Sequence, residues 1–132
     1  MPAETRVAID RETDIVTARQ KGRELAAACG FASTDQTLIA LAISELARNI
    51  VVYAQRGEII VKSEFGERRG IEIVARDQGP GILNVALALQ DGYSTAKSLG
   101  LGLPGARRVM DEFEIDSAPG RGTTVTVRKW VR

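Results

Sequence analysis

Histidine is absent from the 132 residues of this chain. Its absence excludes Ser-His-Asp and Cys-His catalysis and the usual zinc sites. It also excludes a histidine phosphoacceptor within the chain, so acid–base chemistry must rest on Asp, Glu, Lys or Tyr. Cysteine is nearly absent. Cys29 stands alone, which forbids an internal disulfide and fits a reducing compartment. Its thiol is expected to fill a small core space rather than to react. Net charge is close to zero: 18 Lys and Arg against 17 Asp and Glu leave +1. That gives no strong electrostatic case for nucleic acid or for an acidic membrane surface. No apolar run is expected to approach the roughly 20 residues that span a bilayer. The opening residues, Met1 to Arg6, lack the apolar segment of a signal peptide. These absences predict a cytoplasmic protein that uses neither nucleic acid nor membrane. No repeat, low-complexity tract or linker interrupts the chain, so residues 1–132 are expected to form a single domain.

Glycine is what the chain concentrates. Six of its 13 glycines lie between Asp77 and Gly105, in Asp77-Gln78-Gly79-Pro80-Gly81, at Gly92, and in Gly100-Leu101-Gly102-Leu103-Pro104-Gly105. Such positions let backbone N–H groups approach a ligand, and a loop of them running into a helix is a natural anion cradle. The plainer alternative is two ordinary turns around a surface loop. Asp77 bears on the choice. Ile71, Ile73 and Ala75 share one face of a period-two strand, and Asp77 falls on that face. A carboxylate on the core side needs donors. They come either from the following glycine turn or from a ligand such as a purine amino group.

The rest of the chain reads as a two-layer arrangement. A short strand is expected at residues 5–9. A helix follows from about Asp14 to Cys29, capped by Thr13 and stopped at Gly30. A second helix, about 34–53, opens with the capping-box pattern Ser33-Thr34-Asp35-Gln36. Residues 58–65 and 70–77 form one hairpin, and 113–117 and 123–130 another. Short helices are expected at 85–90 and from Pro104 to about Glu112. In each strand the apolar residues share one parity, as in antiparallel sheets covered by helices on one side.

The second helix carries the other anomaly. At 100° per residue, Leu38, Leu41, Ala42, Leu46, Ile50, Val52 and Tyr53 make an apolar arc, with Ser44 and Arg48 outside it. Glu45 and Asn49 lie in the middle of that arc, one turn apart. They are either a buried pair tying helix to strand or the wall of a pocket. An Asn oxygen suits Mg²⁺ beside phosphate oxygens, and a Glu one turn away can accept a proton. With Asp77 and the glycine loops, the set reads as an ATP–Mg²⁺ site with a general base. Rival nucleotide motifs fit worse. No G-x-x-x-x-G-K-[ST] occurs, and no strand precedes the Gly100–Gly105 run as a dinucleotide fold requires.

Glu45-x-x-x-Asn49, Asp77-x-Gly79-x-Gly81, Gly100-x-Gly102-x-x-Gly105 and Gly122-Thr123-Thr124 resemble, in order, the N box, the two glycine boxes and the final threonine box of the GHKL ATPase/kinase superfamily. The resemblance spans nearly the whole chain. It implies the Bergerat ATP-binding fold, an α/β (α+β) two-layer sandwich with a mixed, mainly antiparallel sheet and helices on one face. The phrases Ile43-Ser44-Glu45-Leu46-Ala47-Arg48-Asn49 and Met110-Asp111-Glu112-Phe113 are similar to the RsbT-type serine/threonine switch kinases of the bacterial stressosome. By that resemblance Glu45 is the catalytic base, Asn49 ligates Mg²⁺ and Asp77 holds adenine. Gly79, Gly81, Gly100, Leu101, Gly102, Leu103, Gly105 and Thr123 line the nucleotide, and residues 82–100 form the ATP lid. Lys97 in that lid either neutralises phosphate or is simply solvated. The implied substrates are Ser or Thr residues of STAS-domain antagonist proteins, and the implied second partner is a PP2C-type phosphatase activated by the released kinase. Two alternatives share these boxes: an anti-sigma factor kinase that sequesters a sigma factor, and a nucleotide-sensing module without turnover.

Overall fold

The computed structural model describes residues 3–79 and 103–132. In chain order the elements are β1 (Glu4–Ile9), α1 (Glu12–Cys29), α2 (Ser33–Asn49), a π-helical turn (Ile50–Ala54), β2 (Gly57–Phe65), β3 (Arg69–Asp77), α3 (Leu103–Val109), β4 (Glu112–Ser117) and β5 (Thr123–Trp130). The strands make a five-stranded sheet in the order β1-β2-β3-β5-β4. Each pairing among the described residues is antiparallel, so this sheet is not mixed. The expected helix at 85–90 lies outside the described residues.

Register explains the layers. Ile59, Ala75, Val125 and Ile115 stand opposite one another across four strands, and so do Val61, Ile73, Val127 and Phe113. These rows are buried or packed against the core on the face that the helices cover. The other face carries a row of alternating sign, Glu4, Lys62, Glu72, Arg128 and Glu112. Opposite charges facing across strands stabilise the pairing. Arg128 meets Glu72 at 2.8 Å and Glu112 at 3.2 Å. Burial works against the Arg128 charge, but Glu72 and then Glu112 outweigh it and hold the guanidinium above its ordinary range. Trp130 packs at the C-terminal end, donating its Nε1–H to Glu112 at 2.8 Å beneath the Arg68 guanidinium, which is 4.4 Å from the ring centroid.

Both long helices begin differently from the sequence expectation. In α1 the cap is Arg11, not Thr13, because Asp14 reaches back to accept the N–H groups of Asp10 at 2.8 Å and Arg11 at 3.1 Å. Those two backbone donors, Asp10 first, hold the Asp14 carboxyl below its usual range. In α2 the capping box does not form. Ala32 is the cap, Ser33 is already helical, and Gln36 turns its amide to the Phe31 carbonyl at 2.9 Å. Gly30 does end α1, with φ 101° and with its own and the next N–H satisfied by Ala27 and Ala26. Cys29 is buried beside the Gly70 carbonyl, and burial pushes its thiol upward, as a core role requires. The helix at 103 is also shorter than expected, ending at Val109 because Glu112 opens β4.

The buried arc of α2 is rotated from the expected one. It runs through Ile39, Ala42, Ile43, Leu46, Ala47 and Ile50 and includes Ser44, which is 7% exposed and donates to the Ala40 carbonyl. Leu41 and Val52, expected inside, are 44% and 55% exposed. The cause is α1. Gly22 has no side chain, and Ile43 occupies the space a Cβ would need, so α2 turns its Ile43 side toward α1. Glu45 and Asn49 therefore sit on the flank of the buried arc, partly exposed, not at its centre. The continuous helical segment Ser33–Ala54, 22 residues long with an 18-residue window of mean hydropathy 1.5, is also long and apolar enough to cross a bilayer by length and composition. This overturns the expectation that no apolar run comes near that length. Its apolarity is used here against α1 and the sheet, as in the core helix of a globular fold.

Candidate functional site

The apolar rows of the covered face end in a polar one. Asp77, the last residue of β3, stands opposite Gly57 on β2 and Thr123 on β5, and Thr123 stands opposite Ser117 on β4. Residues directly opposed in an antiparallel pair share a face. Gly57, Asp77, Thr123 and Ser117 therefore continue the rows of Ile59, Ala75, Val125 and Ile115 at one end of the sheet. A bare glycine and three oxygen-bearing side chains stand where a further layer of core would otherwise be.

Close backbone packing builds this row. Asp77 Oδ1 accepts the Gly79 N–H at 2.8 Å, the turn-holding role that its strand position allowed. Its second oxygen has no hydrogen-bond partner among the described residues. A Cβ at Gly79 would lie 2.6 Å from the Ala54 Cβ, so the turn after β3 seats directly on the π-helical turn. Gly122 is buried with φ 78°, and a Cβ there would strike the Asp77 carbonyl oxygen. Ser117 Oγ donates to the Gly122 carbonyl at 3.2 Å and lies 2.7 Å from Thr123 Oγ1. Gly122→Ala is accordingly expected to cost about 1–2 kcal/mol for the left-handed backbone and about 1–3 kcal/mol more for the displaced strand end. Thermal or urea unfolding checks it; an unchanged midpoint would contradict the close approach.

Asn49 adjoins the π-helical turn that packs at this end of the sheet, and Glu45 lies one helical turn before it on α2. That turn starts at Ile50, directly after Asn49. The Ile50 Cγ2 would be 2.9 Å from a Cβ on Gly57, and Ala54 holds Gly79. The Gln55 N–H bonds to the Ile50 carbonyl at 2.8 Å, and Gln55 takes φ 72° to end the turn. Neither Glu45 nor Asn49 makes a side-chain hydrogen bond among the described residues. The reading of them as a pair tying helix to strand therefore has no bond behind it there.

The remaining candidates divide. Leu103 is buried at the start of α3, which packs on α2, so it serves the core. Gly105 lies in α3 with nothing among the described residues within 4 Å of where its Cβ would be. Packing against the described residues therefore does not demand this glycine, although glycine weakens a helix interior. Gly81, Lys97, Gly100, Leu101 and Gly102, together with the expected lid at 82–100, lie outside the described residues. Sequence reasoning missed Ser117, the structural use of Gly57, and the π-helical turn. Ser117 had a signal, since its place opposite Thr123 follows from the hairpin around Pro119-Gly120. The β-branched run Ile50-Val51-Val52 was the signal for a departure from α-helix. Two open hollows of about 410 and 450 Å³ lie elsewhere, beside Arg68 and Trp130 and beside Arg11 and Arg56, and contain none of the candidate residues.

The Mg²⁺ suggestion can be tested on the donor set. No group of three His, Cys, Asp or Glu side chains converges among the described residues. A partly buried Asn amide without a partner among the described residues suits a hard cation that takes most of its ligands from phosphates and water, and Mg²⁺ is such a cation.

Residues 9–129 match the family described as the histidine kinase-like ATPase domain. The chain belongs to that family. Across 127 residues, 96% of each chain, it is 48% identical to the serine/threonine-protein kinase RsbT of Bacillus subtilis. It is 33% identical over 98 residues to an anti-sigma F factor of Caldanaerobacter subterraneus, covering 70% of this chain and 68% of that one. Among solved structures, one containing RsbU and RsbW domains from Mycobacterium tuberculosis superposes with a TM-score of 0.67 at 22% identity, covering all of this chain and 33% of that one. A mycobacterial sensor histidine kinase, MprB, superposes at 0.58 with 17% identity, over 98% of this chain and 99% of that one. At those identities the structural matches speak for the fold.

Proposed function

We propose that this member of the histidine kinase-like ATPase family is a serine/threonine protein kinase that works by partner switching. Its substrates are Ser or Thr hydroxyls on STAS-domain antagonist proteins. The observations that support the chemistry are the partly buried Glu45 and Asn49, without partners among the described residues, and the polar row in which Asp77 stands opposite Thr123. The kinase reading is supported by 48% identity over 96% of the chain to a serine/threonine kinase.

In this reading Asp77 receives the adenine amino group on the carboxylate oxygen left over from the Gly79 turn. Asn49 helps hold Mg²⁺, with Thr123 and the glycine boxes (Gly79, Gly81, Gly100, Leu101, Gly102, Leu103 and Gly105) lining the nucleotide and Lys97 near its phosphates. Mg²⁺, when bound, would supply positive charge against the charge that develops on the phosphates. Glu45 accepts the proton of the substrate hydroxyl while that oxygen forms its bond to the γ-phosphorus. The bond from phosphorus to the β,γ-bridging oxygen breaks, and ADP leaves. Transfer lowers the affinity of the kinase for the phosphorylated antagonist. The freed kinase then activates a PP2C-type phosphatase in stress signalling. This cycle belongs in the cytoplasm.

The test is phosphate transfer from ATP–Mg²⁺ to purified STAS-domain proteins, with pull-downs before and after. Transfer to Ser or Thr followed by release is expected. No transfer to any such protein, or equal retention of both forms, would overturn the reading. The anti-sigma F relatives favour a second reading in which the chain sequesters a sigma factor. Stable capture of a sigma factor, released by a STAS protein, would select it.

A further inference from the structure

The π-helical turn joins α2 to β2, yet its contacts converge on a side chain that belongs to neither. Two of its residues reach Asp77, and both do so across a glycine. A Cβ at Gly57 would lie 2.9 Å from Ile50 Cγ2 and 3.1 Å from Asp77 Cβ. Gly57 is the residue opposite Asp77 in the sheet, so Ile50 and Asp77 share the space above it. A Cβ at Gly79 would lie 2.6 Å from Ala54 Cβ and 3.2 Å from Asp77 Oδ1. The Gly79 backbone is therefore held between Ala54 and the Asp77 carboxylate, and its N–H donates to Oδ1 at 2.8 Å. The start and the end of one turn thus bracket one carboxylate.

The turn is held in shape. Its closing bond runs from the Gln55 N–H to the Ile50 carbonyl at 2.8 Å, the i to i+5 pattern of a π-helix. Gln55 then takes φ 72° and ψ −31°. Among the described residues, every other positive φ belongs to a glycine. A residue with a Cβ keeps such a conformation only where its surroundings impose it. Ile50 is buried in the core and anchors the start of the turn. The carboxyl torsion of an aspartate is broad by itself. Here Gly79 fixes Oδ1, and the rigid carboxylate then fixes the direction of the second oxygen.

We propose that Ile50 and Ala54 are positioning residues for Asp77: the π-helical turn seats Gly79, the Gly79 N–H holds Oδ1, and the second oxygen is thereby aimed at the ligand. The proposal rests on the reading of Asp77 as a nucleotide contact. It adds two apolar side chains that act through Asp77.

The experiment uses Ala54→Val, which adds methyl groups against Gly79, and Ile50→Leu, which removes the Cγ2 methyl above Gly57 at nearly constant volume. Each is made in the wild-type chain and in Asp77→Asn. ATP–Mg²⁺ affinity is measured by calorimetry, with thermal melts on the same samples. In the wild-type background each variant should lose roughly three- to tenfold in affinity, the usual range for one misplaced hydrogen bond. In the Asp77→Asn background neither should cause further loss, because effects that act through one shared residue do not add. If Ala54→Val does not fold, Ile50→Leu carries the comparison, since volume-conserving apolar exchanges are usually tolerated. A merely structural turn predicts lower melting temperatures with unchanged affinity of the folded protein, or the same factor lost in both backgrounds. Either result overturns the proposal and leaves the nucleotide site in place. A wild type that binds no ATP, or an Asp77→Asn variant that binds it normally, overturns the reading of Asp77 and the proposal with it.

Discussion

Glu45→Gln is expected to bind ATP–Mg²⁺ nearly as well as wild type and to transfer phosphate about 10²–10⁴ times more slowly, the usual consequence of losing a general base. The amide keeps the shape of the carboxyl and its capacity to bond, but it cannot take a proton at neutral pH. The structure sharpens the expectation. Glu45 lies on the flank of α2 and makes no side-chain hydrogen bond among the described residues, so the substitution breaks none there. Its melting temperature should stay close to wild type. Asn49→Ala is the contrast on the same helix: it should weaken Mg²⁺-dependent nucleotide binding as well as transfer. Single-turnover transfer, measured with thermal melts, separates the outcomes. A folded Glu45→Gln that transfers phosphate at the wild-type rate would remove Glu45 from the mechanism.

Asp77→Asn should fold and lose roughly 10–100-fold in ATP affinity, the range expected when a hydrogen bond to a charged group is lost. The two oxygens of Asp77 have separate uses. Oδ1 holds the Gly79 N–H at 2.8 Å, and an asparagine oxygen can keep that bond. The asparagine nitrogen then occupies the other position and faces the adenine amino group donor to donor. Asp77→Ala, by contrast, frees the Gly79 N–H and should lower stability together with affinity. Calorimetry on the folded asparagine variant is decisive, and unchanged ATP affinity would detach Asp77 from the base.

Strand parity carried most of the fold. Alternation in 58–65, 70–77, 113–117 and 123–130 is a local signal with a period of two, and a buried face enforces it because a one-residue slip would expose the whole core. The same alternation put Asp77 on the core face before any partner was known. The glycine at 30 likewise announced the end of α1, since few other residues take a positive φ without cost.

Periodicity alone misjudged the faces of α2. Leu41 and Val52 are as apolar as Ile43, and a hydrophobic arc does not say which part of itself a neighbour will cover. The small residue Gly22, on another helix, decided that. The helix starts were misjudged for a related reason. Ser33 and Thr13 are good caps by type, but the choice of cap depends on which backbone groups the neighbouring side chains reach: Asp14 accepts the Asp10 N–H, and Gln36 donates to the Phe31 carbonyl.

The sequence by itself determined the strands, their parity, the order of the glycine-bearing turns and the candidate residues Glu45, Asn49 and Asp77, because each is written in local spacing; Thr123 entered through the resemblance of Gly122-Thr123-Thr124 to a family motif. Only the tertiary structure decided that Asp77 and Thr123 stand opposite each other, that Ser117 completes their row, and that a π-helical turn brings Asn49 to that end of the sheet. Those are relations between distant segments. They are set by register and by the approach distances that Gly57, Gly79 and Gly122 permit, and no window along the chain contains them.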